Sequence, residues 1–334
     1  MRRGRHSYDE SDVKIRPGKG SRPRTKDRPK HEDALFGMVV SKDRGRWGVY
    51  LEGRTISCIR AKDLGRTPIV VGDQVGVVGD TSGKPGTLGR IVKLAERHSV
   101  LRRTADDTDA YERIVVANAD QLLIVCALAD PPPRTGFVER ALVAAFVGNV
   151  RPIIILTKSD LADPTEFAKE FETLDVEVIV CGIDDPVEPV VDLTKGKVSA
   201  LIGHSGVGKS TLMNRLIPEA SRATGEVSGV GKGKHTSTQS VAMELPEGGW
   251  LIDTPGVRSF GLAHVDADTV LEVFDDLKDA VEECPRGCSH LEPGCYLDTL
   301  QDPDSPTYNE VTARRVTAVR NLLEKLRTNV AWEN

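Results

Sequence analysis

The sequence predicts a multidomain chain: an N-terminal OB-type β-barrel, a central α/β doubly wound sheet, and a helical part gathered around a Cys/His cluster. Three observations carry this. Residues 34–100 hold short β-patterned runs broken by Gly-rich or polar turns. Residues 101–263 alternate continuous apolar runs with helical periodicity. Residues 264–334 place Cys284, Cys288, His290 and Cys295 in a helix-rich stretch. The length agrees, since 334 residues suffice for two or three domains.

The chain opens on residues 1–33, rich in Arg, Lys, Pro, Gly and Ser and poor in apolar side chains. Such a segment cannot bury enough surface to order itself, so it is expected to be disordered until bound. Residues 1–31 carry 11 Lys/Arg against 4 Asp/Glu, so the overall charge of −5 leaves −12 on the remainder. A basic arm on an acidic body points to RNA contact, because neutralising phosphates releases counterions. The arm has no apolar stretch behind its basic residues, so no secretory signal is expected. No apolar run approaches the ~20 residues of a membrane span. A cytoplasmic protein with no membrane partner is therefore expected.

In the barrel region the runs are Gly37–Val40, Trp47–Leu51, Thr55–Ile59, Val75–Val78 and Arg90–Leu94. Their count and brevity suggest a small OB-type barrel. In the central region, Leu122–Cys126 and Pro152–Leu156 read as parallel strands covered on both faces. Between them, Gly136 to Gly148 reads as a helix with Val138, Ala141, Leu142 and Ala145 on one face. Lys197–Ile202 and Trp250–Ile252 are further strands, and Val311 to Val330 is a long terminal helix. Cys58, Cys126 and Cys181 are scattered and read as inert thiols.

The strand ending at Ile202 runs into Gly203-His204-Ser205-Gly206-Val207-Gly208-Lys209-Ser210, with Thr211 next. This is the G-x-x-x-x-G-K-S pattern. Its backbone N–H groups and the following helix N-terminus would cradle phosphates. Lys209 is expected to reach the β- and γ-phosphates, and Ser210 to ligate Mg²⁺. Asp253-Thr254-Pro255-Gly256 follows a strand, where Asp253 can hold Mg²⁺ through water and Gly256 can offer its N–H to a γ-phosphate. Thr157-Lys158-Ser159-Asp160 also follows a strand. The Asp160 carboxylate can accept both donors of a guanine edge, which adenine lacks, so it selects GTP over ATP. Lys158 can lie over the base. Thr157 stands where Asn is usual and keeps an oxygen for bridging to the phosphate loop. Here the base-reading segment precedes the other two, whereas ordinary GTPases place it last. The chain thus reads as a circularly permuted P-loop GTPase.

Between Ser210 and Asp253 lies the Gly- and hydroxyl-rich segment Gly231 to Thr238. Thr236 or Thr238 is expected to complete the Mg²⁺ shell. No Gln follows Gly256, so His235 is the candidate to orient the attacking water. Cys284-x₃-Cys288-x-His290-x₄-Cys295 offers three thiolates and one imidazole, a closed tetrahedral set expected to hold one structural Zn²⁺.

These motifs together resemble the ribosome small subunit-dependent GTPase A family. The resemblance covers nearly everything after residue 34. It is carried by Ala117-Asn118-Ala119-Asp120-Gln121, Thr157 to Asp160, Gly206 to Ser210, Gly233 to Thr236, Asp253 to Gly256 and the Cys/His cluster. It implies a GTPase of late small-subunit assembly that binds near the decoding region, is stimulated by the subunit and leaves after hydrolysis. It also implies one Zn²⁺ and a catalytic role for His235. Cys181-Gly182 occupies the place of the family's Ser-Ala segment. The expected partners are the small ribosomal subunit, its rRNA and GTP/GDP. A monomer is expected, as no dimerisation heptads are evident. The competing reading is a nucleotide-regulated rRNA-binding module with negligible hydrolysis, which the missing Gln favours and His235 disfavours. A permuted GTPase of the large subunit is disfavoured by the terminal Cys/His cluster, and an ATPase by Asp160.

Overall fold

The computed structural model describes residues 31–104, 112–171, 174–218, 240–254 and 265–327. The basic arm, expected to be disordered, lies outside them as far as residue 30. The architecture is that of the compact unit Asp33–Asn334.

Five strands make the barrel: β1 (Leu35–Asp43), β2 (Arg46–Leu51), β3 (Arg54–Arg60), β4 (Gln74–Gly79) and β5 (Gly89–Leu94). The pairings β1–β2, β2–β3, β3–β5, β5–β4 and β4–β1 close a ring. Only β3–β5 is parallel. Closure removes free sheet edges and defines an inside, filled by Val39, Trp47, Val49, Leu51, Ile56, Val75, Val77 and Ile91. The first two hairpins turn on Arg44-Gly45 and Glu52-Gly53, with positive φ at all four residues. Two left-handed residues give a turn whose twist matches the strands. β1 serves two interiors. Val39 belongs to the barrel core, whereas its neighbours Met38 and Val40 belong to the core of the next layer.

A β-hairpin, β6 (Val100–Thr104) with β7 (Glu112–Ala117), leads into the α/β part. There follow β8 (Gln121–Ala127), α1 (Thr135–Val147), β9 (Arg151–Thr157), α2 (Thr165–Lys169), β10 (Glu177–Val180), α3 (Glu188–Thr194), β11 (Val198–Ile202), α4 (Lys209–Leu216), β12 (Val241–Glu244) and β13 (Trp250–Asp253). Strands lie in the order β10-β9-β8-β11-β13 with all neighbours parallel. β12 joins antiparallel to β13 and bridges to β1 at Ser41 opposite Val241. β8 is buried along its whole length. Leu122, Ile124 and Cys126 face the layer of α1, while Leu123, Val125 and Ala127 face the layer of α3 and α4. That two-sided burial is why the sequence reads as an unbroken apolar run.

The C-terminal part is α5 (Ala267–Leu271), α6 (Asp279–Glu283), α7 (Tyr296–Gln301) and α8 (Glu310–Arg327). α8 buries Val316, Val319, Leu322 and Leu323, a one-sided helical stripe. These side chains, with Cys284, Cys295 and Leu297, share one core with α1 and β8. Arg315 of α8 pairs with Asp276 at 2.5 Å and with Asp175, and Lys325 pairs with Glu139 of α1. Among the described residues, no helix is long and apolar enough to cross a membrane.

The runs anticipated from sequence over 122–126, 152–156, 197–202 and 250–252 are β8, β9, β11 and β13. The helix anticipated over 136–148 is α1, and that over 311–330 is α8, with 328–334 outside the described residues. β6, β7 and β12 were not anticipated, and β10 only as the apolar strand-like run leading to Cys181. Arg102-Arg103 interrupt β6, β7 opens on Glu112-Arg113 and β12 ends on Glu244, so none of these three stands out as a continuous apolar run.

The barrel and the α/β part are stitched together by hydrogen bonds centred on two buried polar side chains, Asp73 and Asn118. Asp73 is fully buried and receives two hydrogen bonds from Arg97, at 2.7 and 2.8 Å. Asn118, in a left-handed conformation, accepts from His98 N and donates to Gly72 O, both at 3.0 Å. Gly72 has φ +91°, and a Cβ there would lie 1.9 Å from Ala117 O. Only glycine fits this seam.

Candidate functional site

β11 delivers the chain to the loop of residues 203–208, and α4 follows directly. Gly203 has φ +154°, and a Cβ on it would stand 2.6 Å from Val125 O in the neighbouring strand. Gly208 precedes α4 in a left-handed conformation. The bend throws the loop over the C-terminal edge of the sheet and aims the first N–H groups of α4 at its mouth. Ser205, Gly206, Ser210 and Thr211 are exposed there, and Val207 is buried as the anchor. The Lys209 ammonium donates to Gly203 O and, at 2.8 Å, to His204 O. Burial lowers its pKa, and Asp253 opposes that shift. His204 packs against Phe137 of α1 with ring centroids 4.4 Å apart.

Asp253 ends β13 in register with Leu201 of β11, which puts it beside the root of the phosphate loop. Thr254 is buried and donates to Leu201 O at 2.8 Å, fixing the exit from that strand.

The base-reading segment closes the site from the other side. Thr157 ends β9, and its buried hydroxyl donates to Val207 O at 2.6 Å. Lys158 is left-handed, and its ammonium donates to Asp130 O. Asp160 is exposed at a cavity of about 250 Å³. Thr157, Lys158 and Asp160 line it together with Gly208 and Thr211 of the phosphate loop and helix. The three expected segments thus converge, although in the chain the base segment comes first.

Two functional neighbours were not visible in the sequence. Arg215, in the last turn of α4, reaches the loop after β10 and donates to Gly182 O at 2.6 Å and Asp185 O at 2.5 Å. Asp185 accepts from the Ser159 hydroxyl and, at 2.7 Å, from Gly182 N. These two bonds hold the Asp185 carboxyl below the usual carboxylate range, the Ser159 bond contributing most. No motif marks either residue. The only signal was that Cys181-Gly182 stands where a base-contacting segment was expected.

His235, Thr236, Thr238 and Gly256 lie outside the described residues.

Cys284, Cys288, His290 and Cys295 converge as the sequence anticipated, their donor atoms all within 4.8 Å of one another. The Cys284 and Cys295 sulfurs are 3.5 Å apart, and His290 Nδ1 is 3.4 Å from Cys295 Sγ. His290 is fully buried, and its Nε2 faces Asp268 Oδ1 of α5 at 2.8 Å. With Nε2–H donating to that carboxylate, Nδ1 turns its lone pair toward the thiols. Backbone N–H groups of His290 and Tyr296 donate to the Cys288 and Cys284 sulfurs. Burial, with Cys284 and Cys288 adding to it, pushes the Cys295 thiol up to about 12. A bound dication is what would hold thiolates in such a place, so the donor set fits a metal. Asp268 and Arg320 were also missed from sequence. Arg320 of α8 donates to His290 O, Gln301 and Asp298, bracing the metal loop against the terminal helix.

Comparison with known proteins places this geometry. A family model described as RsgA GTPase matches residues 94–263. The chain is 34% identical over 256 residues to a protein of Chlorobaculum parvum named small ribosomal subunit biogenesis GTPase RsgA, covering 73% of this chain and 82% of that one. It is 36% identical over 282 residues to the protein of that name from Shewanella oneidensis, covering 80% and 78%. Among solved structures it is similar to YjeQ from Thermotoga maritima, with TM-score 0.62, 23% identity, and coverage of 89% and 99%. It is also similar to YloQ, described as a circularly permuted GTPase, with TM-score 0.62, 20% identity, and coverage of 91% and 98%.

Proposed function

The chain belongs to the RsgA GTPase family, and on that premise we propose that its hydrolysis of GTP serves late maturation of the small ribosomal subunit, with subunit-stimulated turnover driving release. In the reaction, water attacks the γ-phosphorus, the bond to the β–γ bridging oxygen breaks, and GDP and phosphate leave. Residues Gly203 to Thr211 bind the phosphates through backbone N–H groups and Lys209. Asp160 accepts the guanine donors, while Lys158 covers the base and Thr157 and Ser159 fix their loop. Ser210, Asp253 and one of Thr236 or Thr238 would hold Mg²⁺, which supplies charge neutralisation on the β- and γ-oxygens. Gly256 would meet the γ-phosphate, and His235 would orient the attacking water. Cys284, Cys288, His290 and Cys295 would hold a Zn²⁺ whose role is structural, since four protein ligands leave no open position.

The observation that carries the reading is the cavity shared by Asp160 and the phosphate loop, with Thr157 hydrogen-bonded across to Val207. The names of the relatives carry the choice of partner. The proposed parts are a basic arm over 1–33, a barrel over 34–100, the permuted GTPase over 101–263 and the metal-binding helical part over 264–334. The arm, barrel and helical part would contact rRNA. We place the protein in the cytoplasm as a monomer.

Steady-state GTP hydrolysis with and without purified small subunits tests this, with ATP and large subunits as controls. Stimulation by small subunits alone is expected. Tight GTP binding with negligible hydrolysis in every mixture would instead indicate a nucleotide-regulated rRNA-binding module.

A further inference from the structure

We propose that Arg215 and Asp185 form a clamp that sets guanine specificity by locking the two base-side loops to the helix that starts at the phosphates. The proposal rests on the reading of Asp160 as the base-selecting group.

The Ser159–Asp160 segment and the 181–185 loop come from different strands, β9 and β10. Asp185 joins them, accepting from the Ser159 hydroxyl on one loop and from Gly182 N on the other. Ser159 directly precedes Asp160, so this bond fixes where the selecting carboxylate begins. The loops approach closely enough that a Cβ on Gly182 would stand 2.2 Å from Ser159 Oγ. Arg215 then holds the carbonyls at both ends of the 182–185 turn, one guanidinium nitrogen on each. A planar guanidinium presents its donors in a fixed fork from separate nitrogens, whereas an ammonium must reach both acceptors from a single atom. Cys181 Sγ lies 3.5 Å from the same guanidinium.

Arg215 is six residues beyond Lys209 on α4, a rise of about 9 Å along the helix. One short rigid helix therefore carries the phosphate-facing end and the brace for the base pocket. Its length sets the spacing between them. Among the residues that line the cavity Asp160 is the one carboxylate, and its position depends on the clamp. Asp185 is a positioning residue outside the cavity lining, and Arg215, which lines the same cavity as Asp160, acts in the clamp through the two carbonyls it holds.

The test is equilibrium binding of GDP, ADP and XDP to the full chain and to Arg215→Met, Arg215→Lys, Asp185→Ala and Asp160→Asn. Diphosphates keep hydrolysis out of the readout. Thermal midpoints are measured alongside. Arg215→Met and Asp185→Ala are expected to lower GDP affinity by about ten- to a hundredfold, the scale of hydrogen bonds to charged groups. ADP affinity should change little, so the GDP/ADP ratio collapses. Arg215→Lys should fall between. A merely structural role would weaken both nucleotides together and leave the ratio intact, overturning the clamp. So would tighter GDP binding by Asp185→Ala, which would mean that Asp185 competes with the base for Gly182 N. Asp160→Asn separates the two levels. A swap of preference from GDP to XDP upholds the base reading, so an intact ratio in Arg215→Met then overturns the clamp alone. No swap overturns the base reading and the clamp with it.

Discussion

The hydroxyl of Thr157 donates to the carbonyl of Val207 at 2.6 Å, and this single bond ties the base-reading segment to the phosphate loop. Thr157→Val keeps the shape and deletes the donor, leaving a buried carbonyl short of a partner. A loss of about 1–2 kcal/mol in stability is expected. GDP binding should weaken as the two halves of the site lose register. Thr157→Ser should behave as the parent. Urea unfolding and GDP titration of both variants decide it, and a Val variant equal to the parent would show the bond to be idle.

Asp268 orients the imidazole of His290 from 22 residues upstream. Loss of such an outer carboxylate lowers metal affinity by about 10–100-fold. On the proposed Zn²⁺ assignment, Asp268→Ala loaded with zinc should release it to a chelator at correspondingly lower concentration, read with a colorimetric zinc indicator. Equal retention by variant and parent would mean that the carboxylate does not tune the site.

The Asp185 carboxyl is held below the ordinary range by Ser159 and Gly182. A carboxylate with a lowered folded pKa stabilises fully above its unfolded pKa of about 3.9, and that contribution disappears as pH falls through the folded value. The difference in thermal midpoint between the parent and Asp185→Asn should thus be constant near neutrality and shrink in acid. A difference independent of pH down to the acid transition would contradict the assignment.

The seam between barrel and α/β part should be the most sensitive surface for stability. Arg97→Met leaves Asp73 buried and unpaired, a change that costs about 3–5 kcal/mol when a buried pair is broken. Gly72→Ala should be comparably harmful, because its Cβ would overlap Ala117 O. Both are checked by denaturant unfolding. A loss below 1 kcal/mol for Arg97→Met, a figure of about the size of an exposed pair, would mean that water reaches Asp73.

Motif spacing made much of the site legible. Lys209, Asp160, Asp253 and the Cys/His set each stand in a short local pattern whose internal spacing the chemistry dictates, whatever the order of the segments along the chain. β8 and β9 were legible because burial on both faces demands unbroken apolar runs. Arg215, Asp185, Asp268 and Arg320 were not, because a bracing side chain needs only the right place in space and leaves no local pattern. β12 was missed because its four residues, with Val241 and Glu244 exposed at the ends, form no continuous apolar run. Its pairing with β1, two hundred residues away, is a property of the folded sheet alone. The roles of His235, Thr236, Thr238 and Gly256 concern residues beyond those described.

Strand β1 turns Val39 into one interior and Met38 and Val40 into another. A barrel excised from this chain would keep every strand of its ring and still expose two apolar side chains, each worth about 1.5–3 kcal/mol of burial. A one-residue insertion in β1 would exchange the two faces and spoil both interiors together. Neither neighbour can be swapped for a foreign module without redesign of this strand. The parts that sequence composition separates along the chain are thus, at β1, a single inheritance.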